Sequence, residues 1–264
     1  MRAKQMTLPI THTIEGAFAN VIINNPARMN AISLEGWNEF GRVLRKLSAD
    51  NSLRCIIIRG AGDHAFSAGA DIFEFPQVRI NAAQAASYGT VVAESLLALR
   101  TCIHPTLAAI QGVCTGGGME IACGCDLRVA NTSARFGVPI NKLGHAFAFA
   151  EMQTVLSSID RKLVLELILE GRIVNANEAL MRGLVNRVVE NESFDNEIAS
   201  TVDRIIEGAP LVNRAAKKFL TRLEDLTPLS EEEIAEGYAL CDTNDYAEGV
   251  RAFLAKEKPV FEGN

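Results

Sequence analysis

Short, strongly apolar segments alternate with amphipathic segments over the first 145 residues, and this alternation constrains the fold most. "RCIIIRG" (54–60), "TLAAIQG" (106–112) and "DLRVA" (126–130) are typical of strands buried on both faces, and "AFANVIINN" (17–25) indicates a further strand. Helical periodicity follows the predicted N-cap Ser33, and a second helix is expected over about 81–101. Strands that alternate with helices predict an α/β core.

Beyond residue 145 the pattern becomes almost wholly helical. Helices are expected over 147–158, 160–170, 176–182, 193–208, 211–223 and 230–256, and "LVNRVVE" (184–190) indicates the one late strand. We therefore expect a core over residues 1–205 and a helical C-terminal region over residues 206–264.

Composition excludes several classes of protein. The net charge of −6 argues against a nucleic acid as the main ligand, because proteins that bind nucleic acid usually carry basic faces. No apolar run is long enough to span a membrane, and the first residues lack the apolar core of a secretion signal. Six cysteines without a C-x-x-C pair indicate reduced thiols and no metal site, so a cytoplasmic location is expected.

The glycine-rich stretch "CTGGGMEIACGCD" (114–126) lies where a predicted strand meets a predicted helix. Such a junction presents unpaired N–H groups to an anion, or to an oxygen that becomes anionic during a reaction. A phosphate loop would need a lysine after its last glycine, and here Met119 and Glu120 follow. Glu120 alone is also explained as an acid that stabilises the first turn of a helix.

A second glycine loop, "HAFSAGADI" (64–72), also follows a buried strand. "GAGDHA" (60–65) matches part of a dinucleotide-binding pattern, but neither the helix nor the acid that this pattern requires follows it. Two glycine loops, each after a core strand, could together supply the two N–H donors of an oxyanion hole.

At this point the sequence resembles the crotonase superfamily, the enoyl-CoA hydratase/isomerase family, over nearly its whole length. The resemblance rests on "VIINNPARMNAIS", "FSAGADI", "HPTLAAIQGVCTGGGMEIACGCDLRVA" and "DTNDYAEGVRAFLAKEKPVFEG". It implies a crotonase-like spiral of ββα units with a C-terminal helical trimerisation region, assembled as a homotrimer or hexamer. It also implies acyl-CoA substrates, with coenzyme A as part of the substrate and no separate cofactor.

The resemblance further implies roles for individual residues. The oxyanion donors fall on the backbone N–H groups of Ala70 and Gly117, and the first catalytic glutamate falls on Glu120. Substrate-binding positions fall on Arg28, Asn30, Ala31, Ala68, Asp71, Ile72, Gly116 and Ile140.

The chain departs from the hydratase pattern at "FGVPINKLGHAFAFAEM", where Ile140 occupies the position of the family's second glutamate. Glu151 and His145 are possible replacements for that acid. The residues alone favour a helix-surface acid for Glu151 and a loop or packing residue for His145. Phe147 and Phe149 could line an acyl pocket or belong to the core.

The expected function is chemistry on an acyl-CoA thioester through an enolate, with Glu120 as acid and base. Hydration of a 2-enoyl-CoA is the leading reaction, and double-bond isomerisation with one carboxylate is the next. A catalytically weak protein that binds coenzyme A thioesters, or an RNA-associated one, is the alternative from another class.

Overall fold

Two sheets organise the chain in the computed structural model, which describes residues 8–264. The larger sheet contains β1 (Ile10–Glu15), β2 (Phe18–Ile23), β3 (Cys55–Gly60), β5 (Thr106–Ile110), β7 (Leu127–Asn131) and β10 (Arg187–Val189), in that spatial order. The smaller sheet contains β4 (Ala65–Ser67), β6 (Val113–Thr115), β8 (Arg135–Gly137) and β9 (Ile173–Asn175). Strands pair in parallel except for β1 with β2 and β8 with β9.

The chain visits the two sheets alternately. Each pass adds one strand to the larger sheet and the next strand to the smaller sheet, as β3 and β4, β5 and β6, and β7 and β8 do. Helices connect one pass to the next, so the expected α/β spiral of ββα units is confirmed.

Helices occupy most of the remaining chain. They are α1 (Leu34–Ser48), α2 (Phe75–Val78), α3 (Ala82–Arg100), α4 (Gly117–Gly124), α5 (Phe149–Leu156), α6 (Arg161–Leu169), α7 (Ala176–Met181), α8 (Phe194–Glu207), α9 (Pro210–Arg222), α10 (Glu231–Ala239) and α11 (Asn244–Ala255). The predicted cap of α1 is confirmed, because the Ser33 hydroxyl accepts a hydrogen bond from Gly36 N at 3.1 Å. None of the helices in residues 8–264 is long and apolar enough to cross a membrane.

The strands β3, β5 and β7 of the larger sheet are largely buried on both faces, as their sequences predict. One face packs against α1, α3 and α4 in the main core, with Trp37 and Phe40 among its largest buried side chains. On the other face, α8 contributes Phe194, Ile198 and Val202 to a second cluster with β3, β5 and β7. The site described below lies on the first of these two faces.

Two predictions about the C-terminal half are wrong. The helix expected over 230–256 is divided into α10 and α11, because Thr243 adopts an extended conformation and its hydroxyl accepts a hydrogen bond from Tyr246 N at 3.2 Å. The late strand over 184–190 is shorter than expected, as β10, and it is not alone, because β9 pairs with β8. The boundary expected between 205 and 206 falls within the last turn of α8 and stays a prediction.

Candidate active site

The two glycine loops lie side by side because β4 and β6, the strands that precede them, are parallel neighbours in the smaller sheet. A Cβ atom at Gly69 would lie 2.8 Å from Gly117 N and 2.9 Å from Thr115 O, so no side chain fits between the loops there. Gly69 also has a φ angle of +95°, which favours glycine. The glycines therefore permit a close approach of two backbone segments.

Backbone hydrogen bonds fix the first loop and leave one N–H group free. Ala68 N donates to Met29 O and Asp71 N donates to Ile32 O, both at 2.8 Å. Ala70 N, between them, has no acceptor among residues 8–264. The N–H of Ala70 is therefore not used by the contacts that hold the loop.

The second loop leaves a matching N–H group. Gly117 is the first residue of α4, and the first N–H groups of a helix have no partner within it. Gly117 N has no acceptor elsewhere in the described part of the chain. Ala70 and Gly117 line the same cavity, which encloses about 130 Å³. Two residues with free N–H groups therefore border one small space.

Glu120 lies in the first turn of α4 and lines this cavity with only 5% of its surface exposed. Its Oε2 atom is buried without a hydrogen-bond partner in residues 8–264. Burial raises the pKa of Glu120 well above its usual value, the charge of Glu151 adds to this, and the charge of Arg79 opposes it. Burial is the largest of the three effects, so the surroundings favour the neutral form of Glu120.

Glu151 lines the same cavity from the first turn of α5 and is 7% exposed. One of its oxygens, Oε2, accepts a hydrogen bond from Ala148 N at 2.8 Å, which fixes the side chain at the helix terminus. The interpretation of Glu151 as a helix-surface acid is therefore wrong. Ile140 also lines the cavity, so an apolar side chain stands at the position where the resemblance led us to expect a carboxyl.

His145 and three residues that sequence analysis missed form one wall of the cavity. The Arg79 guanidinium lies over the rings of Phe75 and Tyr88, at 5.0 and 5.3 Å from their centroids. Its Nη2 atom lies 3.3 Å from His145 Nδ1, and His145 packs edge-on against Phe75 with centroids 6.2 Å apart. No periodicity or motif marks the segment with Phe75 and Arg79, so the sequence offered no signal for this wall.

Trp37 also lines the cavity, although the sequence did not indicate this. Its position on the apolar face of α1 predicts only a core residue. Phe147 also lines the cavity and is 8% exposed, which is compatible with both of its expected roles. Phe149, in contrast, is 96% exposed in this chain and belongs to neither the cavity nor the core.

The predicted substrate-binding positions divide into two groups. Ala68, Ile72 and Gly116 line the cavity together with Ile140. The others, which do not border it, are Arg28, Asn30, Ala31 and Asp71. Their roles toward a ligand stay predictions.

Two of the positions outside the cavity have clear structural partners. Arg28 Nη1 pairs with Asp71 Oδ2 at 2.6 Å and links the two loops on which they lie. Asn30 is fully buried, and its side-chain amide donates to Ala65 O at 2.7 Å and Ala61 O at 3.0 Å. The Asn30 side chain therefore holds the loop that carries Ala68.

A family model described as enoyl-CoA hydratase/isomerase matches residues 13–264. The chain belongs to the enoyl-CoA hydratase/isomerase family. The crotonase resemblance noted in the sequence is thereby confirmed.

Individual members of the family match over almost their full length. The chain is 32% identical to a short-chain-enoyl-CoA hydratase of Clostridium acetobutylicum, over 92% of this chain and 94% of the relative. It is also 32% identical to a crotonyl-CoA hydratase of Syntrophomonas wolfei, over 94% and 95% of the two chains. The crystal structure of an enoyl-CoA hydratase/carnitine racemase from Magnetospirillum magneticum superposes with a TM-score of 0.95 at 48% identity, covering 97% of this chain and 96% of that one.

Proposed function

We propose that this family member is an enzyme that adds water to a 2-enoyl-CoA. One observation carries the proposal: a single small cavity brings together two free backbone N–H groups, at Ala70 and Gly117, and two buried carboxyl groups, at Glu120 and Glu151. Addition to an α,β-unsaturated thioester needs these two kinds of group, donors for an oxygen that becomes negative and carboxyls that move protons.

The reaction proceeds through an enolate. The thioester oxygen accepts hydrogen bonds from the N–H groups of Ala70 and Gly117. Water adds through its oxygen to Cβ, its proton passes to one carboxylate, and the electrons of the double bond move onto the thioester oxygen. The other carboxyl then gives a proton to Cα, and the thioester re-forms. A fixed donor of this kind typically contributes about a hundredfold or more in rate.

We assign the other proton transfer, acceptance of the proton from water, to Glu151. This residue supplies a carboxyl to the cavity that Ile140 cannot supply. His145 is less suited to the role, because its Nδ1 lies 3.0 Å from Ala146 O and 3.3 Å from Arg79 Nη2. Because its pKa is raised, Glu120 is suited to hold a proton in the resting enzyme and to give that proton to Cα.

Double-bond isomerisation is the second candidate. It requires only that a proton leave one carbon and return at another, and Glu120, buried and free of hydrogen bonds at Oε2, can carry that proton alone. For either reaction we propose coenzyme A as part of the substrate with no separate cofactor, a homotrimer or hexamer, and a cytoplasmic location.

Turnover of a small set of acyl-CoAs tests the proposal. We expect crotonyl-CoA to be hydrated, and coenzyme A or a short acyl-CoA to raise the melting temperature more than NAD or ATP does. Conversion of a 3-enoyl-CoA to its 2-enoyl isomer without hydration would favour the second candidate. Binding of acyl-CoAs without turnover of any of them would indicate a protein that binds thioesters without catalysis.

A further inference from the structure

Arg79 places a positive charge on the wall of the cavity without an ion-pair partner. Its single hydrogen bond within residues 8–264 joins Nη2 to His145 Nδ1 at 3.3 Å, and no carboxylate of the described residues forms an ion pair with it. The other contacts of the guanidinium are with the ring faces of Phe75 and Tyr88, at 5.0 and 5.3 Å.

Partial burial of Arg79 costs some free energy, because it removes part of the water that the N–H groups would otherwise bond. The aromatic rings compensate for part of this cost through their negative faces, and they fix the plane of the guanidinium. A planar, fixed guanidinium matches the two oxygens of a carboxylate, with which it forms paired charge-assisted hydrogen bonds. The wall formed by Phe75, Arg79 and Tyr88 is therefore built to receive an anion.

The other titratable groups around Arg79 are compatible with an added carboxylate. Glu120 faces the same cavity with a raised pKa, so it carries a negative charge less readily than an ordinary glutamate does. The carboxyl of Glu151 accepts a hydrogen bond from Ala148 N at the N-terminus of α5, and it forms no hydrogen bond with Arg79 in the described residues. His145, which is half-buried, contacts Arg79 Nη2 through Nδ1 at 3.3 Å and leaves the other N–H groups of the guanidinium free for an added partner.

We infer that the acyl group of the substrate ends in a carboxylate, which Arg79 binds while the thioester lies at Ala70 and Gly117. The inference rests on the proposed function, in which the cavity holds the acyl part of an acyl-CoA. The substrate class is a 2-enoyl-CoA whose acyl chain carries a second, free carboxyl group remote from the thioester.

Binding of saturated acyl-CoAs, which undergo no hydration, tests the inference separately from the reaction. Succinyl-, glutaryl- and adipyl-CoA are titrated calorimetrically into the full-length protein, each beside its own methyl ester, which keeps the chain but removes the charge. We expect the free acid of at least one length to bind about tenfold or more tightly than its ester. Butyryl- and hexanoyl-CoA report whether the cavity accepts acyl groups at all.

Two variants connect the preference to Arg79. Arg79→Gln is expected to abolish the difference between acid and ester, and Arg79→Lys is expected to retain part of it, because lysine keeps the charge without the planar fork. Arg161→Gln removes an exposed arginine at the start of α6 and serves as the matched control, which we expect to leave the preference unchanged.

The possible outcomes distinguish a failure of the inference about Arg79 from a failure of the proposed function. Acids that bind no more tightly than their esters, in a protein that binds butyryl-CoA, would overturn the inference and leave the proposed function intact. A preference that persists in Arg79→Gln would also overturn it. Failure of every acyl-CoA to bind would overturn the proposed function together with the inference.

Discussion

Replacement of Gly118 by alanine should separate the two glycine loops without changing any functional group. A Cβ atom at Gly118 would lie 2.3 Å from the backbone oxygen of Ser67. Neither atom can rotate away, because the Cβ position is fixed by the backbone of Gly118 and the oxygen by that of Ser67. The loops must move apart by about 0.7 Å to reach 3.0 Å, the closest approach that Cβ atoms show. The N–H of Gly117 moves with α4, while the N–H of Ala70 stays with the other loop.

A misplacement of this size should lower kcat for crotonyl-CoA about 10- to 100-fold, because the two donors no longer meet at one oxygen. The strain should also lower the free energy of unfolding by about 1–3 kcal/mol. The assay follows loss of the ultraviolet absorbance of the conjugated thioester, beside near-ultraviolet circular dichroism to establish that the variant is folded.

Gly124→Ala is the matched control in the same helix. Its Cβ atom would meet the end of the Leu99 side chain at 2.8 Å, which can move, and Gly124 does not border the cavity. The control should therefore lose little activity. A folded Gly118→Ala protein with the kcat of the unmodified protein would refute the reasoning. Gly117→Val is a poorer test, because its Cβ atom would lie 2.7 Å from the buried ring of Trp37.

Glu120→Gln and Glu151→Gln should each lower kcat for hydration by about 10²–10⁴. Full activity of Glu151→Gln, with loss of activity in His145→Ala, would transfer the role assigned to Glu151 to His145. Glu120→Gln should also stabilise the protein increasingly as the pH rises above 4.5, the usual pKa of this group. The folded protein raises that pKa, so the stability that Glu120 contributes is complete at low pH and is lost as the pH rises through the folded value. Denaturant unfolding at several pH values measures this difference, and a constant difference would contradict the raised pKa. Light scattering should show a trimer or hexamer at micromolar concentration, because the C-terminal helices expose apolar side chains such as Leu220, Tyr238 and Phe253, and a monomer alone would contradict this.

The elements that the sequence predicted correctly are those with strong local signals. β3, β5 and β7 are short apolar runs that end at or near a glycine or a turn, and each lies within one or two residues of its expected bounds. The cap at Ser33 and the helix that begins in the glycine run depend on neighbouring residues alone. Glu120 could be located for the same reason, since it follows the glycines in its own helix.

The strands that the sequence did not reveal are weak in local signal. β4, β6, β8 and β9 have three residues each, too few for a periodic pattern. β1, "ITHTIE", lies at the edge of the larger sheet and carries polar residues that resemble a loop. Pairing with neighbouring strands, which is a tertiary property, gives these segments their structure.

The site could be predicted only in part for a related reason. The sequence identified the two loops and Glu120, but the burial of Glu151 depends on how α5 packs against α4. Arg79 acquires its position from aromatic neighbours on α2 and α3. Neither residue belongs to a motif, so only the folded chain brings them to the cavity.

The central claim is that the N–H groups of Ala70 and Gly117 stabilise the enolate of a coenzyme A thioester, and acetoacetyl-CoA tests it most directly. This ligand changes its ultraviolet absorbance when it ionises to an enolate, so the form that is bound can be observed without turnover. We expect the bound ligand to be an enolate at a pH at which the free ligand remains largely in the keto form, and we expect Gly118→Ala to reduce this effect. Binding of acetoacetyl-CoA in its keto form alone, at the same pH, would contradict the account.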